Sequence, residues 1–391
     1  MVKQLKRAIV ERVDAMEDQL ADIASELYHN PELPLQEYRA SDLLAQTLES
    51  GGFAVERKIA GMDTAFRAAW GTGSPEIAIL AEMDALPKMG HACGHNVIAA
   101  AAVGAGLALR QVLPEDAARV VVLGTPAEEI GYGKVEMIRA GVFDSVDFAM
   151  MVHPSSKRYV VRGYLGLAKL RFTFLGRAAH AAAYPEEGIN ALDAVIQTFN
   201  AINALRQQLR QDVRVHGIIT EGGTAPNIIP ERATCHFYVR ADDLQELAMV
   251  RERVNACAEG AALATGCRLE QEADPRVLAP LRINMAFSAL YAGQLKFLGL
   301  EEMTVPVDKN RGSSDIGNVS QVVPTIHPHV PLGDGLHIHT AEFARATISP
   351  KGREAVLEGA KALALTALEL VGSAELRENI CLEFNIAESK K

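Results

Sequence analysis

The chain has 391 residues, 49% of them hydrophobic and 23% charged, with a formal net charge of −10. That length exceeds one compact core and suits two domains of roughly 100–200 residues each; the balance excludes a disordered chain, and acidity without a basic patch excludes a nucleic-acid surface. The five cysteines (Cys93, Cys235, Cys257, Cys267 and Cys381) are odd in number and irregularly spaced. No disulfide framework is therefore expected; the cytoplasm is the expected compartment, where a reduced cysteine can bind metal.

The amino-terminal stretch reads as an amphipathic helix over 3–28, charged throughout and without the apolar core or cleavage site of a signal peptide. A second helix, 36–50, stops at Gly51-Gly52. Short apolar runs at Ile77–Ala81, Val120–Leu123 and Phe148–Val152 predict buried strands of a mainly parallel sheet. Between the first two, residues 95–112 predict a helix of small side chains that can approach a sheet closely. Its weakly polar run, Val97–Leu109, falls well short of the ~20 residues that span a bilayer, so no membrane partner is expected.

The pattern then changes. Residues 167–175 alternate polar and apolar with period two. A helix over 189–209, strands near 213–220 and 231–240, a helix over 243–265 and a strand over 267–273 complete a β-α-β-β-α-β order, the ferredoxin-like arrangement. After residue 280 the α/β pattern resumes and closes with a helix opening at Ser349-Pro350. The expected fold is α/β: a catalytic domain (1–165 and 280–391) with a mixed, mainly parallel sheet and helices on both faces, interrupted by an α+β ferredoxin-like domain (166–279).

Four places carry chemistry. Cys93 and His95 flank Gly94 just before the small-residue helix, and thiolate with imidazole is a natural zinc donor pair; taken alone, a buried inert Cys beside a capping His reads equally well. Glu128-Glu129 follows a strand, and adjacent carboxylates can divide metal binding from proton transfer, although two glutamates are more commonly a solvated pair. His153 follows the third strand. His327, His329, His337 and His339 crowd the last part of the chain. Asp84, Glu128, Glu129 and His153 all lie just past carboxyl ends of predicted parallel strands, the edge where open α/β sheets bind ligands.

The stretches AEMDALP (81–87), GHACGHN (90–96), GTPAEEIGYGK (124–134), MVHP (151–154), GRAAHAAAYPEEGINALDA (176–194), GGTAPNIIP (222–230), SSDIGNVSQVVPTIHP (313–328) and HTAEF (339–343) resemble, in order, the M20 metallopeptidases. The resemblance is to their aminoacylase/carboxypeptidase-like amidohydrolase branch, and within it to the aminoacyl dipeptidases (β-alanyl-lysine and Xaa-Arg types) and the aminobenzoyl-glutamate hydrolases. It covers nearly the whole chain. It implies Cys93, His95, Glu129, His153 and His339 as metal ligands, Glu128 as general base and Asp84 as a residue orienting a ligand. On spacing alone His337 competes with His339, and the HTAEF match favours the latter. His327 and His329 read as structural histidines. Asn96 stands where much of the family has Asp, and an amide cannot carry the charge of that Asp.

The resemblance also implies that His180 and Asn227, otherwise readable as a packed histidine and a turn residue, bind substrate and the oxyanion from an inserted domain acting as lid and dimerisation module. The expected function is hydrolysis of the amide bond in a small N-acyl or aminoacyl amino acid. The expected cofactor is Zn²⁺ (Mn²⁺, Co²⁺ or Ni²⁺ being alternatives), one or two ions per subunit, in a homodimer. Deamination of an aromatic amine, or a binding protein without turnover, are the rival readings.

Overall fold

The computed structural model describes residues 2–303 and 311–388. The chain divides into two compact units, Met1–Gly163 with Leu281–Lys391, and Tyr164–Pro280. Among the described residues no helix is long and apolar enough to cross a membrane.

The first unit begins with helices α1 (Val2–Ala15), α2 (Glu17–His29) and α3 (Tyr38–Ser50), then strands β1 (Ala54–Arg57), β2 (Phe66–Trp70) and β3 (Glu76–Glu82). Helix α4 (His95–Val112), β4 (Arg119–Thr125), α5 (Gly133–Arg139), β5 (Phe148–Met150) and β6 (His153–Ser155) follow. The second unit holds β7 (Gly166–Leu175), α6 (Ala191–Leu205), β8 (Arg214–Glu221), β9 (Arg232–Ala241), α7 (Leu244–Thr265) and β10 (Arg268–Ala273). The chain returns to the first unit with α8 (Met285–Phe297), α9 (Ile316–Val322), β11 (Thr325–Ile326), β12 (His329–Pro331), α10 (Ala341–Ala346), α11 (Pro350–Gly372) and α12 (Ala374–Glu388).

The main sheet of the first unit has the order β1-β2-β4-β3-β5-β11. Its β4-β3-β5-β11 part is parallel, while β1 and β2 add antiparallel strands at one edge. Alternate residues of β3 face opposite cores: Ile77, Ile79 and Ala81 pack with α1, α2, α4 and α11, and Ala78 and Leu80 pack with residues of α5 and α9. Both faces are thus covered, which is why these strands read as continuous apolar runs. Helix α4 is buried from His95 to Leu109. Its small residues make that possible: a Cβ on Gly104 would sit 2.7 Å from Leu20 Cδ1 and 3.1 Å from Ala360 Cβ.

The second unit is an antiparallel sheet of order β10-β7-β9-β8 with α6 and α7 packed on it. This is the ferredoxin-like order. Asn190 and Asp243 cap the two helices, each accepting two backbone N–H groups, as short polar side chains at that position do.

Two local expectations differ, and two strands had no counterpart among the expected elements. The helix expected over 3–28 is broken at Met16, whose ψ of 8° leaves the helical range between the buried faces Ile9/Val13 and Leu20/Ile23/Leu27. The strand expected to reach Val152 ends at Met150, because the following residues pair separately as β6 with β12. The edge strand β1 and its neighbour β2, short and mixed in polarity, carry no apolar run that would announce them.

Candidate metal centre

Strands β3 and β4 run parallel, so their carboxyl ends, Glu82 and Thr125, open on the same edge in register. Past β3 lies Asp84, and past it the loop that enters α4. Gly94 caps α4 with φ 85°, and a Cβ there would meet Pro154 Cγ at 2.3 Å. Only glycine fits between Cys93 and His95. Past β4 the chain turns through Ala127, left-handed at φ 59°, into a short 3₁₀ turn, Glu128–Ile130. His153 opens β6 beside His329 of β12. His339, also left-handed at φ 65°, donates its N–H to Ala92 O at 2.8 Å.

These segments bring seven of the expected residues together. The donor atoms of Cys93, His95 and His153 lie within 4.8 Å of one another, as do those of Cys93, Glu129 and His339, and of His95, Glu128 and Glu129. Second partners orient the imidazoles. His153 Nδ1 donates to Pro154 O at 2.7 Å, leaving Nε2 as the lone-pair nitrogen 3.5 Å from Cys93 Sγ. His95 Nδ1 donates to Asp84 Oδ1 at 2.9 Å, while Asp84 Oδ2 accepts the Glu129 N–H at 2.9 Å. Asp84 therefore orients one histidine and one glutamate at once, the second-partner role that tunes ligands. His339 Nε2 lies 3.8 Å from Glu129 Oε2; His337 is exposed, its carbonyl accepting the Thr340 hydroxyl.

The residues fit a divalent cation. Buried polar atoms are nearly always paired, yet His95 Nε2, Glu129 Oε1 and Glu82 Oε2 have no hydrogen-bond partner among the described residues. A thiolate about 2.3 Å and an imidazole about 2.1 Å from one tetrahedral zinc lie roughly 3.6 Å apart, close to the Cys93–His153 separation. Electrostatics agree. Burial drives the Glu128 carboxyl well above its ordinary range, reinforced by Glu82 and Asp315, and burial also raises Glu129 and the Cys93 thiol. Burial lowers His153 to about 4, so it is neutral and able to ligate. Burial opposes a charge on His95, but Asp84 and Glu82 outweigh it and hold that ring well above the ordinary imidazole value. Buried negative groups in such excess call for a cation.

His180 and Asn227 lie in the second unit, both exposed. Their loops are joined: Ala181 N–H donates to Asn227 O at 3.0 Å. His180 Nδ1 accepts the N–H groups of Ala182 and Ala183 at 3.3 and 3.2 Å, which puts the ring hydrogen on Nε2. Asn96 is fully buried, and its Nδ2 donates to Ala24 O and Thr347 Oγ1, both at 3.0 Å. A carboxylate has no hydrogen for those acceptors, which accounts for the amide here. His327 and His329 are buried with ring centroids 5.5 and 5.4 Å from that of His153, and burial holds both well below the ordinary imidazole value.

Four charged residues at this edge had not stood out in the sequence. Glu82 and Asp315 are bridged by Lys134 Nζ at 2.7 and 2.5 Å, all three buried. Glu37, fully buried, accepts the N–H groups of Leu35 and Ala127 and the Thr64 hydroxyl. Glu82, Lys134 and Asp315 sit inside stretches that carried the resemblance, and Glu82 precedes Asp84 by the two-residue strand period; those were the available signals.

The M20 peptidase dimerisation domain matches residues 162–265. The Xaa-Arg dipeptidase of Mus musculus is 39% identical, over 97% of this chain and 92% of that protein. The human Xaa-Arg dipeptidase is 36% identical over 98% and 92%. One subunit of the p-aminobenzoyl-glutamate hydrolase of Escherichia coli is 33% identical over 74% and 65%. Two solved structures share the fold. A dinuclear metal-binding peptidase of the M20 family from Bacillus subtilis superposes with a TM-score of 0.70 at 22% identity, over 91% of this chain and 99% of that one. An aminobenzoyl-glutamate utilization protein from Klebsiella pneumoniae gives 0.66 at 19% identity, over 91% and 97%. The chain belongs to the M20 family of metal-dependent peptidases and amidohydrolases, and is a hydrolase of C–N bonds.

Proposed function

We propose that this chain is a dipeptidase that hydrolyses the amide bond of a small aminoacyl or N-acyl amino acid, with dipeptides carrying a basic carboxyl-terminal residue as the first substrates to try. Relatives named Xaa-Arg dipeptidase, aligned over nearly its whole length, support that substrate class. Cys93, His95, Glu129, His153 and His339 would hold the metal, zinc by the nature of the donors. When bound, such an ion supplies Lewis-acid activation of water and of the scissile carbonyl. Asp84 keeps His95 and Glu129 aimed. Glu128 takes the proton from the attacking water and passes it to the leaving amine.

The observation that carries this reading is the split of the glutamate pair. Glu129 is tied through its N–H to Asp84 and groups with the donors of Cys93 and His339, while the Glu128 carboxyl groups with Glu82 and Asp315, whose charges add to burial in favouring its protonated form. A base that must later act as an acid needs such a raised affinity for a proton. His180, with its hydrogen on Nε2, is suited to donate to the developing oxyanion, and Asn227 to bind substrate. We assign both to the inserted domain of a partner subunit in a homodimer, on the match to a dimerisation domain. The absence of disulfides among the five cysteines suits the cytoplasm.

The test is a hydrolysis panel of zinc-loaded protein against dipeptides, N-acetyl amino acids and aminobenzoyl-glutamate. Release of a free amino acid that vanishes in Glu128→Gln, with metal content preserved, is expected. Ammonia release from an aromatic amine, or activity surviving in Glu128→Gln, would overturn it.

A further inference from the structure

The expected donor set leaves a buried carboxylate oxygen at this edge unexplained, that of Glu82. Glu82, at the carboxyl end of β3, is 1% exposed. Its two oxygens have different surroundings. Oε1 accepts from Lys134 Nζ at 2.7 Å, and Lys134 is itself fixed by Asp315, which takes Nζ at 2.5 Å with one oxygen and the Lys134 backbone N–H at 3.0 Å with the other. The carboxylate is therefore clamped from one side. Oε2 has no hydrogen-bond partner among the described residues and lies 3.3 Å from His95 Nε2, another buried atom without one.

Two arrangements could satisfy such a pair: a doubly protonated His95 facing Glu82 as an ion pair, or both atoms on one cation. The geometry favours the second. Two donors each about 2.1 Å from one tetrahedral zinc are roughly 3.4 Å apart, near the observed 3.3 Å. The pair also misses hydrogen-bond geometry despite its proximity. Charge points the same way. Glu82, Asp84, Glu128, Glu129 and Asp315 converge on this edge, where their described ion-pair partners are Lys134, His95 and the exposed His339. Five carboxyl groups thus share three basic partners. Buried charges in that imbalance are expensive without a cation.

We propose that Glu82, through Oε2, is a sixth protein donor of the metal centre, with Lys134 and Asp315 as positioning residues that hold it in a one-oxygen mode. The proposal rests on the metal centre described above and deepens it. Glu82→Gln preserves the shape but weakens the donor. Zinc affinity, measured by competition with a chromophoric chelator, should fall by more than the roughly 10–100-fold that loss of an outer partner of a ligand costs. The visible spectrum of the Co²⁺-loaded variant should change in band position or intensity. Urea unfolding of the metal-free proteins checks that the variant folds. If it does not, Glu82→Asp carries the test: it retains the charge but withdraws the oxygen by one methylene, and the same losses are expected. A fall in zinc affinity no larger than roughly 10–100-fold, with the Co²⁺ spectrum of the parent, would overturn the proposal and leave Glu82 as an ion-pair partner of His95. A parent protein that binds neither metal would instead overturn the metal centre itself, so the two failures are distinct.

Discussion

Glu37 offers a sharp test of how the Glu128-Glu129 turn is held. Its carboxylate is fully buried and accepts three hydrogen bonds: the N–H groups of Leu35 and Ala127 at 2.9 and 2.8 Å on Oε1, and the Thr64 hydroxyl at 2.9 Å on Oε2. Both backbone partners are left-handed non-glycine residues, φ 64° and 59°, each strained by about 1–2 kcal/mol. In Glu37→Ala two amides and a hydroxyl lose their acceptor at about 1–3 kcal/mol each, a sum comparable to the ~5–15 kcal/mol stability of a whole domain. The turn carrying Glu128 should loosen, with kcat falling at least about tenfold. Glu37→Gln is different. Its oxygen can still accept both amides and its NH₂ can donate to Thr64, so only the charge is lost. Burial, then the nearby Asp84, raises the Glu37 pKa from 4.5 to about 7. The folded state therefore binds this proton more tightly than the unfolded state, and stability declines as pH rises from about 4.5 to about 7, then levels off. That interval corresponds to roughly 3 kcal/mol at 1.36 kcal/mol per pH unit. Urea unfolding of metal-free parent and Glu37→Gln across that range should show the variant gaining on the parent by an amount of this order as pH rises. Parallel stability–pH curves would refute the reasoning.

Three further outcomes are expected. Cys93→Ala should lower bound zinc as well as activity, measured by elemental analysis; full occupancy would remove Cys93 from the ligand set. Asn96→Asp should destabilise the protein by about 1–3 kcal/mol or more in thermal or urea unfolding, since a buried carboxylate would face the Ala24 carbonyl oxygen without a hydrogen; unchanged stability would contradict the amide's role. His180→Ala should cost roughly 10²–10³ in kcat with metal content and native mass preserved. Mixing it with Glu128→Gln protein should restore turnover where each site draws on both chains; confirmed subunit exchange without recovery would place His180 within its own chain or outside the reaction.

Much of this protein is legible from the sequence because the physics involved is local. Strands covered on both faces must be apolar throughout, so β3 and β4 announced themselves. The second unit declared its order through the period-two alternation of residues 167–175 and the helix and strand patterns that follow it. Candidate donors stood out because Cys93-Gly94-His95 and Glu128-Glu129 are contiguous, and the resemblance implied the expected set that includes His153 and His339. What the sequence left open is what depends on partners distant along the chain. Met16 interrupts a helix that periodicity runs straight through, and β1 and β2 become strands by pairing at an edge. The resemblance implied Asp84 as an orienting residue, but its partners, His95 and the Glu129 amide, are brought to it by the fold; Glu37 matters because Thr64 and Ala127 come to it. Glu82 looked like any strand-end carboxylate until Lys134 and Asp315 occupied one of its oxygens and left the other buried against His95. Whether a charged side chain is a solvated surface group or a donor depends on burial and on which of its atoms are already bonded. Both are properties of the packed chain, since only folding removes the water that would otherwise satisfy every one of them.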